Sequence, residues 1–196
     1  MKSNSHNYSD WLEGLSTSIS STKCRVGTRN ATLDEGMDKI AELILSLRIS
    51  GGNLWWVGNG GSAAICSHLS QDVLNKLSIR SSAITDASLL TCMANDYGYD
   101  EIYAHPLGVL LREGDVLIAI SSSGESENII KCANYANDNG VSLITLSAFS
   151  PDNKLWSTPS DVSLYLPAGI FGHAEVGHEA LLHAVIETTY MSEKTK

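Results

Sequence analysis

Two polar residues in one helical segment have types and spacing suited to chemistry. His68 and Asp72 lie four positions apart within Ser62 to Leu77, a segment whose pattern predicts a helix. Side chains four apart share a helix face. A histidine and a carboxylate so placed suit a divalent metal, or a base and its orienting partner. On spacing alone, a polar pair on the helix surface is the more common arrangement.

A second polar row occurs near the C-terminus. Glu175, Glu179 and His183 are spaced i, i+4, i+8, which predicts one face of a helix, whereas His178 falls elsewhere on the helical wheel. His183 is surrounded in sequence by apolar residues between 181 and 185. A hydrogen-bonded core histidine is therefore the alternative to a functional one.

A glycine-rich turn follows the apolar segment Asn53 to Val57, which we interpret as a strand. The turn comprises Gly58, Asn59, Gly60, Gly61 and Ser62. Glycines let the backbone approach a ligand closely, and the next helix directs its N–H groups into the same space. A simple helix-capping turn is an equally good interpretation of this loop alone.

A serine-rich loop follows the apolar run Asp115 to Ile120. Its sequence is SSSGES, with Ser121, Ser122, Ser123 and Ser126 preceding a predicted helix. Hydroxyls together with free helix N–H groups can wrap a phosphate without any lysine. One serine suffices for an N-cap, so four favour phosphate binding.

These loops must be positioned by a regular alternation of strands and helices. Apolar strands separated by helices indicate a mostly parallel sheet covered on both faces, a three-layer α/β/α sandwich. Ligands of such sheets bind beyond the carboxyl ends of the strands, where both loops lie. We predict helices at 62–77, 87–111 (broken around 95–99 and at Pro106), 125–139 and 174–191, and strands at 53–57, 81–84, 115–120, 141–146 and 162–166.

The N-terminal part is predicted to be a helical extension over residues 1–33, followed by the main domain over 34–196. Apolar spacing begins at Trp11 and Leu12. Thr32 with Glu35 three residues later matches a capping box at the start of the next helix, which Gly51 and its neighbour end.

Taken together, the segments VGNGGSAA and AISSSGESENII resemble the sugar-isomerase (SIS) family. The resemblance extends from about Asp34 to Thr189. His68 seven residues after Gly61, the segment from Ala94 to Tyr99, and the helix from Glu175 to His183 narrow it to the phosphoheptose isomerase branch.

The resemblance implies roles for individual residues. Asp72 and His183 would be the acid/base pair, in either order, and a zinc ion would be held by His68, Asp72, Glu175 and His183. Besides Asp72 and Glu175, the sugar phosphate would be bound by Asn59, Gly60, Gly61, Asn95, Asp96, Ser121, Ser122, Ser123 and Ser126.

Three departures from the resembled branch concern this site. Asp72 stands where a glutamate is usual, and Glu175 where glutamine is frequent. The segment from Asn75 to Ala83 is shorter than an arginine-containing loop found in many relatives.

The implied reaction is aldose–ketose isomerisation of sedoheptulose 7-phosphate to a manno-heptose 7-phosphate, through an enediol. One alternative is a non-catalytic SIS scaffold, such as a protein that assembles the replication initiator, which needs neither His183 nor the carboxylates. The other is an isomerase of a hexose or pentose phosphate.

Composition limits partners and location. The net charge of −9 offers no electrostatic footprint for nucleic acid or an anionic membrane. The polar start, Met1 to Asp10, predicts no signal peptide, no apolar run approaches the ~20 residues of a membrane span, and the four scattered cysteines suit reduced thiols. We therefore expect a cytoplasmic protein. The N-terminal region predicts a homo-oligomer, and the resemblance implies a tetramer with shared active sites.

Overall fold

A computed structural model describes residues 7–195 as one seven-stranded sheet flanked by helices. Residues 1–6, which belong to the polar segment that predicted no signal peptide, lie outside the described residues. The strands are β1 (Lys23–Val26), β2 (Arg29–Ala31), β3 (Leu54–Gly58), β4 (Ser81–Ala83), β5 (Val116–Ser121), β6 (Ser142–Ala148) and β7 (Val162–Leu166). The helices are α1 (Tyr8–Ser20), α2 (Leu33–Ser50), α3 (Gly61–Leu77), α4 (Ala87–Asp96), α5 (Ala104–Leu110), α6 (Glu127–Asp138), α7 (Lys154–Ser157) and α8 (Phe171–Lys194), with a 3₁₀ turn at Tyr99–Glu101.

The sheet is mostly parallel, as predicted. Its strand order is β2-β1-β7-β6-β5-β3-β4, and all neighbours from β7 to β4 pair in parallel. Strand β5 lies in the interior of the sheet, between β6 and β3, with all six residues buried. Its alternate residues point to opposite faces: Val116, Ile118 and Ile120 join a core with α2, α3 and α8, while Leu117 and Ala119 join one with α5 and α6. Two covered faces explain why this strand is apolar throughout.

The N-terminal segment differs from the prediction in part. A helix is present at Tyr8–Ser20, but 23–31 forms an antiparallel hairpin whose first strand pairs with β7. Cys24 is buried, and Gly27 adopts a left-handed φ of 57° at the turn. The glycine at this position was the hairpin signal that the helical interpretation did not use. The sheet therefore extends into the segment predicted to be helical, and the division at residue 33 stays a prediction.

The capping signals predicted the helix boundaries correctly, whereas the proline did not. Thr32 and Glu35 form the predicted capping box of α2, and Gly51 ends that helix with a φ of 72°. Helix α4 ends at Asp96, inside the predicted break. The break expected at Pro106 is wrong, because this residue lies in the first turn of α5, where its missing N–H breaks no helical bond.

None of the helices within residues 7–195 combines the length and the apolar character that a bilayer span requires. All four cysteines are free thiols, and three of them are buried.

Candidate active site

A cleft of about 200 Å³ opens where β3 and β5 end. Gly58 pairs with Ile120 in the parallel register, so the glycine and serine loops leave the sheet side by side. The cleft therefore lies at the sheet edge where ligands of parallel sheets bind. Its lining comprises Asn59, Ser62, Ile120, Ser121, Ser122, Ser123, Ser126, Phe171 and Glu175.

The glycine loop turns sharply before α3 begins. Gly60 has φ 55° and ψ −122°, a conformation that side chains with a Cβ rarely adopt. A Cβ on Gly58 would come within 2.9 Å of the Ser62 backbone. The loop thereby brings Asn59 to the cleft and starts α3 beside it.

The serine loop is held together by its own hydroxyls. The buried Ser121 donates from Oγ to Ser126 Oγ at 3.1 Å, and it accepts from the Gly124 N–H at 3.2 Å. Ser123 Oγ lies 3.4 Å from Ser121 Oγ and accepts from the Glu125 N–H. Ser126 is the N-cap of α6, yet its side chain bonds within the loop. Three hydroxyls thus converge at the N-terminus of a twelve-residue helix, an arrangement that suits an anion.

Glu175 lies across the cleft at the start of α3. A Cβ built on Gly61 would come within 2.3 Å of the Glu175 carboxyl group. Glycine at position 61 therefore leaves the space that this carboxylate occupies. A carboxylate at a helix N-terminus is favoured by the helix dipole.

Farther along α3 and α8, the side chains of His68, Asp72 and His183 form a compact group. Their ligand atoms all lie within 4.8 Å of one another. His183 Nδ1 is 3.7 Å from Asp72 Oδ2, and the two imidazole rings are 5.3 Å apart. Asp72 is buried, His68 is exposed and His183 is intermediate. One imidazole face is thus open to a substrate or ion while the carboxylate is withdrawn.

The predicted fourth ligand lies outside this group. Glu175 and His183 are eight residues apart on α8, which separates their backbones by about 12 Å along the helix axis. Glu175 belongs to the cleft lining, and the compact group holds three of the four predicted ligands.

Sequence reasoning missed Lys76, which contacts the buried carboxylate. Its ammonium group donates to Asp72 Oδ2 at 2.8 Å and also contacts Glu187. Burial alone would raise the pKa of Asp72, but the Lys76 hydrogen bond and charge, with weaker contributions from His68 and His183, lower it. The i, i+4 spacing of Asp72 and Lys76 was the available signal.

Parallel packing of α3 and α8 brings these groups together. Gly61 meets Glu175, Asp72 meets His183, and Lys76 meets Glu187, so both helices run in the same direction. A shared apolar core, including Leu69, Val73, Leu182 and Ile186, holds the pair. The cleft therefore lies at the N-terminal ends of both helices, and the histidine group lies farther along the same helix pair.

Two of the predicted substrate-binding residues lie on a different helix, away from the cleft. Asn95 and Asp96 are exposed at the end of α4, where the Asn95 amide donates to Asp96 at 2.7 Å. His178, set aside by the helical wheel, is fully buried, and its Nε2 pairs with the Ser147 carbonyl at 3.1 Å. Asn128 and Tyr99, which both bond to Asn59, were not selected individually, although each lies in a segment that carries the family resemblance.

Comparison with known proteins identifies the family. A sequence model of the SIS domain matches residues 21–148, so the chain belongs to the SIS-domain family. Within that family it falls in the phosphoheptose isomerase branch: it is 31% identical over 164 residues to the phosphoheptose isomerase of Shewanella denitrificans, covering 79% of this chain and 83% of the relative.

Solved structures give the same picture. Phosphoheptose isomerase GmhA from Neisseria gonorrhoeae superposes with a TM-score of 0.80 at 28% identity, over 92% of this chain and 95% of that one. A phosphoheptose isomerase from Francisella tularensis has the same TM-score and coverage at 23% identity, which supports the fold. The matched SIS segment begins at residue 21 and thus includes the hairpin.

Proposed function

We propose that this protein is an aldose–ketose isomerase that converts sedoheptulose 7-phosphate to D-glycero-D-manno-heptose 7-phosphate. One observation carries the proposal: the cleft with its anion-suited serine loop lies at the start of α3 and α8, and His68, Asp72 and His183 lie farther along the same two helices. The named relatives are phosphoheptose isomerases.

The phosphate end of the substrate belongs at the serine loop. Ser121, Ser123 and Ser126 offer hydroxyls, and α6 offers its N-terminal N–H groups. Local donors are required because the chain has a net charge of −9, which opposes anion binding at long range.

The carbon chain of the sugar then extends from the cleft toward His183, along α3 and α8. In the ketose, a base removes a proton from C1, next to the C2 carbonyl, and an enediol forms. A proton is returned to C2, and the hydroxyl proton of O1 is lost as O2 gains one, so the product has its carbonyl at C1. Asp72 and His183 are the two groups for these transfers, and either order satisfies the balance.

A divalent metal, zinc by preference, fits the donor set of the compact group. Two imidazole nitrogens and one carboxylate oxygen match catalytic zinc sites, which use three protein ligands and leave one position open. The ligand atoms of His68, Asp72 and His183 all lie within 4.8 Å of one another, so these three residues would hold the ion. Bound there, the ion would polarise the substrate oxygens. Glu175 as a fourth ligand stays a prediction.

We further propose that the protein works as a homotetramer in the cytoplasm and supplies heptose precursors for surface polysaccharide. Tyr8, Trp11 and Leu12 leave apolar surface exposed on α1, which supports burial of this helix against another copy. Light scattering tests the assembly, and a stable monomer at micromolar concentration would contradict it.

Turnover of a panel of ketose phosphates tests the activity. Purified protein is given five-, six- and seven-carbon ketose phosphates, and aldose formation is measured with and without added zinc and after treatment with a strong chelator. We expect preference for the seven-carbon substrate. Preference for a shorter sugar would mean that the substrate is a hexose or pentose phosphate. No turnover of any ketose phosphate would favour the scaffold alternative.

A further inference from the structure

Asn59 is the point at which three separate segments meet beside the cleft. Its Nδ2 donates to Asn128 Oδ1 at 2.9 Å, and its Oδ1 accepts from Asn128 Nδ2 at the same distance. The hydroxyl group of Tyr99 donates to the same Oδ1 at 3.3 Å. Asn59 belongs to the glycine loop, Asn128 to the first turn of α6 and Tyr99 to the 3₁₀ turn.

These bonds use the acceptor of the Asn59 amide and leave a donor. A primary amide has two N–H groups and one oxygen with two lone pairs. Asn128 and Tyr99 fill the two lone pairs, and Asn128 takes one N–H. The second N–H belongs to a side chain that lines the cleft, where a phosphate or hydroxyl oxygen can accept it.

The partners of Asn59 are themselves fixed. Asn128 is 2% exposed, so its amide has no freedom to exchange Asn59 for water. The 3₁₀ turn is bound to α6 through Lys131, which donates to Glu101 at 2.7 Å and contacts Asp100. Since Lys131 is three residues after Asn128, one helix positions both partners.

We infer that Asn128 and Tyr99 are positioning residues that hold the Asn59 amide with its free N–H toward the substrate. Neither residue lines the cleft, so both act through Asn59. The inference rests on the proposed function, because the substrate oxygen that accepts the N–H is that of a phosphosugar. Fixing a donor before binding lowers the ordering cost of the complex.

Tyr99→Phe is the sharpest probe, because Tyr99 is 62% exposed and the change removes only a hydroxyl group. We expect kcat/KM for sedoheptulose 7-phosphate to fall about two- to tenfold, the loss of one neutral hydrogen bond, mainly through KM. Tyr97→Phe is the matched control: Tyr97 is also exposed, and its contact is ring stacking on His105, which phenylalanine keeps.

A double-mutant cycle separates positioning from a general structural effect. In the Asn59→Ala background, Tyr99→Phe should have no further effect, because the group that it positions is gone. Asn128→Ala should follow the same pattern. Because Asn128 is buried, thermal unfolding of this variant is measured to show that it still folds. Equal losses from Tyr99→Phe in both backgrounds, or no loss in either, would overturn the inference.

Failure of the proposed function would be distinguishable. If the unmodified protein turns over no ketose phosphate, the isomerase assignment fails. The same cycle is then measured as affinity for inorganic phosphate by calorimetry. Coupling between positions 59 and 99 in that affinity would support the positioning role, and additivity would reject it.

Discussion

His183 Nδ1 lies 3.7 Å from Asp72 Oδ2, and Lys76 donates to that same oxygen at 2.8 Å. A single carboxylate oxygen thus faces an imidazole and an ammonium group. Lys76 lowers the pKa of the Asp72 carboxyl group against the effect of burial, and the imidazole lies next to this carboxylate, which is a suitable proximity for an acid/base pair.

Replacing the histidine should abolish catalysis and leave the fold intact. In His183→Ala we expect kcat to fall about a hundredfold to ten-thousandfold, the usual share of a general acid or base. His183 is partly exposed, so circular dichroism and the unfolding midpoint should change little. His105→Ala is the control, since His105 is exposed and stacks on Tyr97. Full activity in His183→Ala would refute the site.

Lys76 should set the acid limb of the pH–rate profile. Its hydrogen bond is the main factor lowering the pKa of Asp72 against the opposing effect of burial. In Lys76→Met the pKa of Asp72 should rise, so activity should be lost at a higher pH on acidification. Lys76→Arg keeps a cation and should retain the original limb. An unchanged profile of kcat/KM in Lys76→Met would separate Asp72 from the reaction.

The same carboxylate contributes to stability with a defined sign. A folded-state pKa below the unfolded value stabilises the fold above the unfolded pKa, about 3.9. That contribution is lost as the pH falls through the lower folded value. Urea unfolding of Lys76→Met should therefore show a weaker loss between neutral pH and pH 3 than the unmodified protein shows.

The serine loop should govern affinity for the phosphate group. Ser121→Ala removes a buried hydroxyl that bonds Ser126 and Gly124, and we expect KM to rise about tenfold to a hundredfold. Ser46→Ala is the control, because that hydroxyl bonds the Leu43 carbonyl on α2. Unphosphorylated sedoheptulose should compete poorly with the substrate. If unphosphorylated sedoheptulose binds as well as the substrate, the serine loop does not recognise the phosphate group.

Gly61→Ala should impair activity more than stability. The added Cβ would come within 2.3 Å of the Glu175 carboxyl group, which is the end of a flexible side chain and can swing away. Displacing that carboxylate alters the cleft at little cost in unfolding free energy. Gly169→Ala is the control, since a Cβ there meets nothing within 4 Å. A large fall in unfolding midpoint with normal kcat/KM would contradict this account.

His178 should make the fold sensitive to mild acid. Burial lowers the pKa of His178 to about 4, so the unfolded chain binds a proton that the folded chain rejects between about pH 6.5 and 4. Stability should fall over that window by about 3 kcal/mol. In His178→Gln, which keeps a donor for the Ser147 carbonyl, this part of the pH slope should disappear from urea unfolding curves. His105→Gln should retain it.

The sequence predicted the layers and loops because each depends on local pattern. Apolar strands such as β5 and the capping box at Thr32 are confirmed by the structure. The hairpin at 23–31 was missed because its strands are three to four residues long and acquire their identity by pairing with β7. Short segments contain too little pattern to outweigh such a tertiary effect.

The residues of the site could be predicted from the sequence, but not which of them lie together. His68 and Asp72 share a helix face by spacing alone, but their approach to His183 depends on how α3 packs against α8. The same packing places Glu175 at Gly61, away from the three clustered ligands. Asn128 and Tyr99 lie in segments that carry the resemblance, but their contact with Asn59 could not be predicted because it depends on the docking of α6 and the 3₁₀ turn.

The placement of His183 on the final helix has a consequence for biosynthesis. Lys76 and Glu187, which join α3 to α8, are 111 positions apart, so a growing chain exposes its phosphate loops long before the partner helix emerges from the ribosome. Leu181, Leu182 and Ile186 also complete the core on that side of the sheet. A chain that ends before α8 would therefore lack His183 and leave exposed the part of the apolar sheet face that α8 covers.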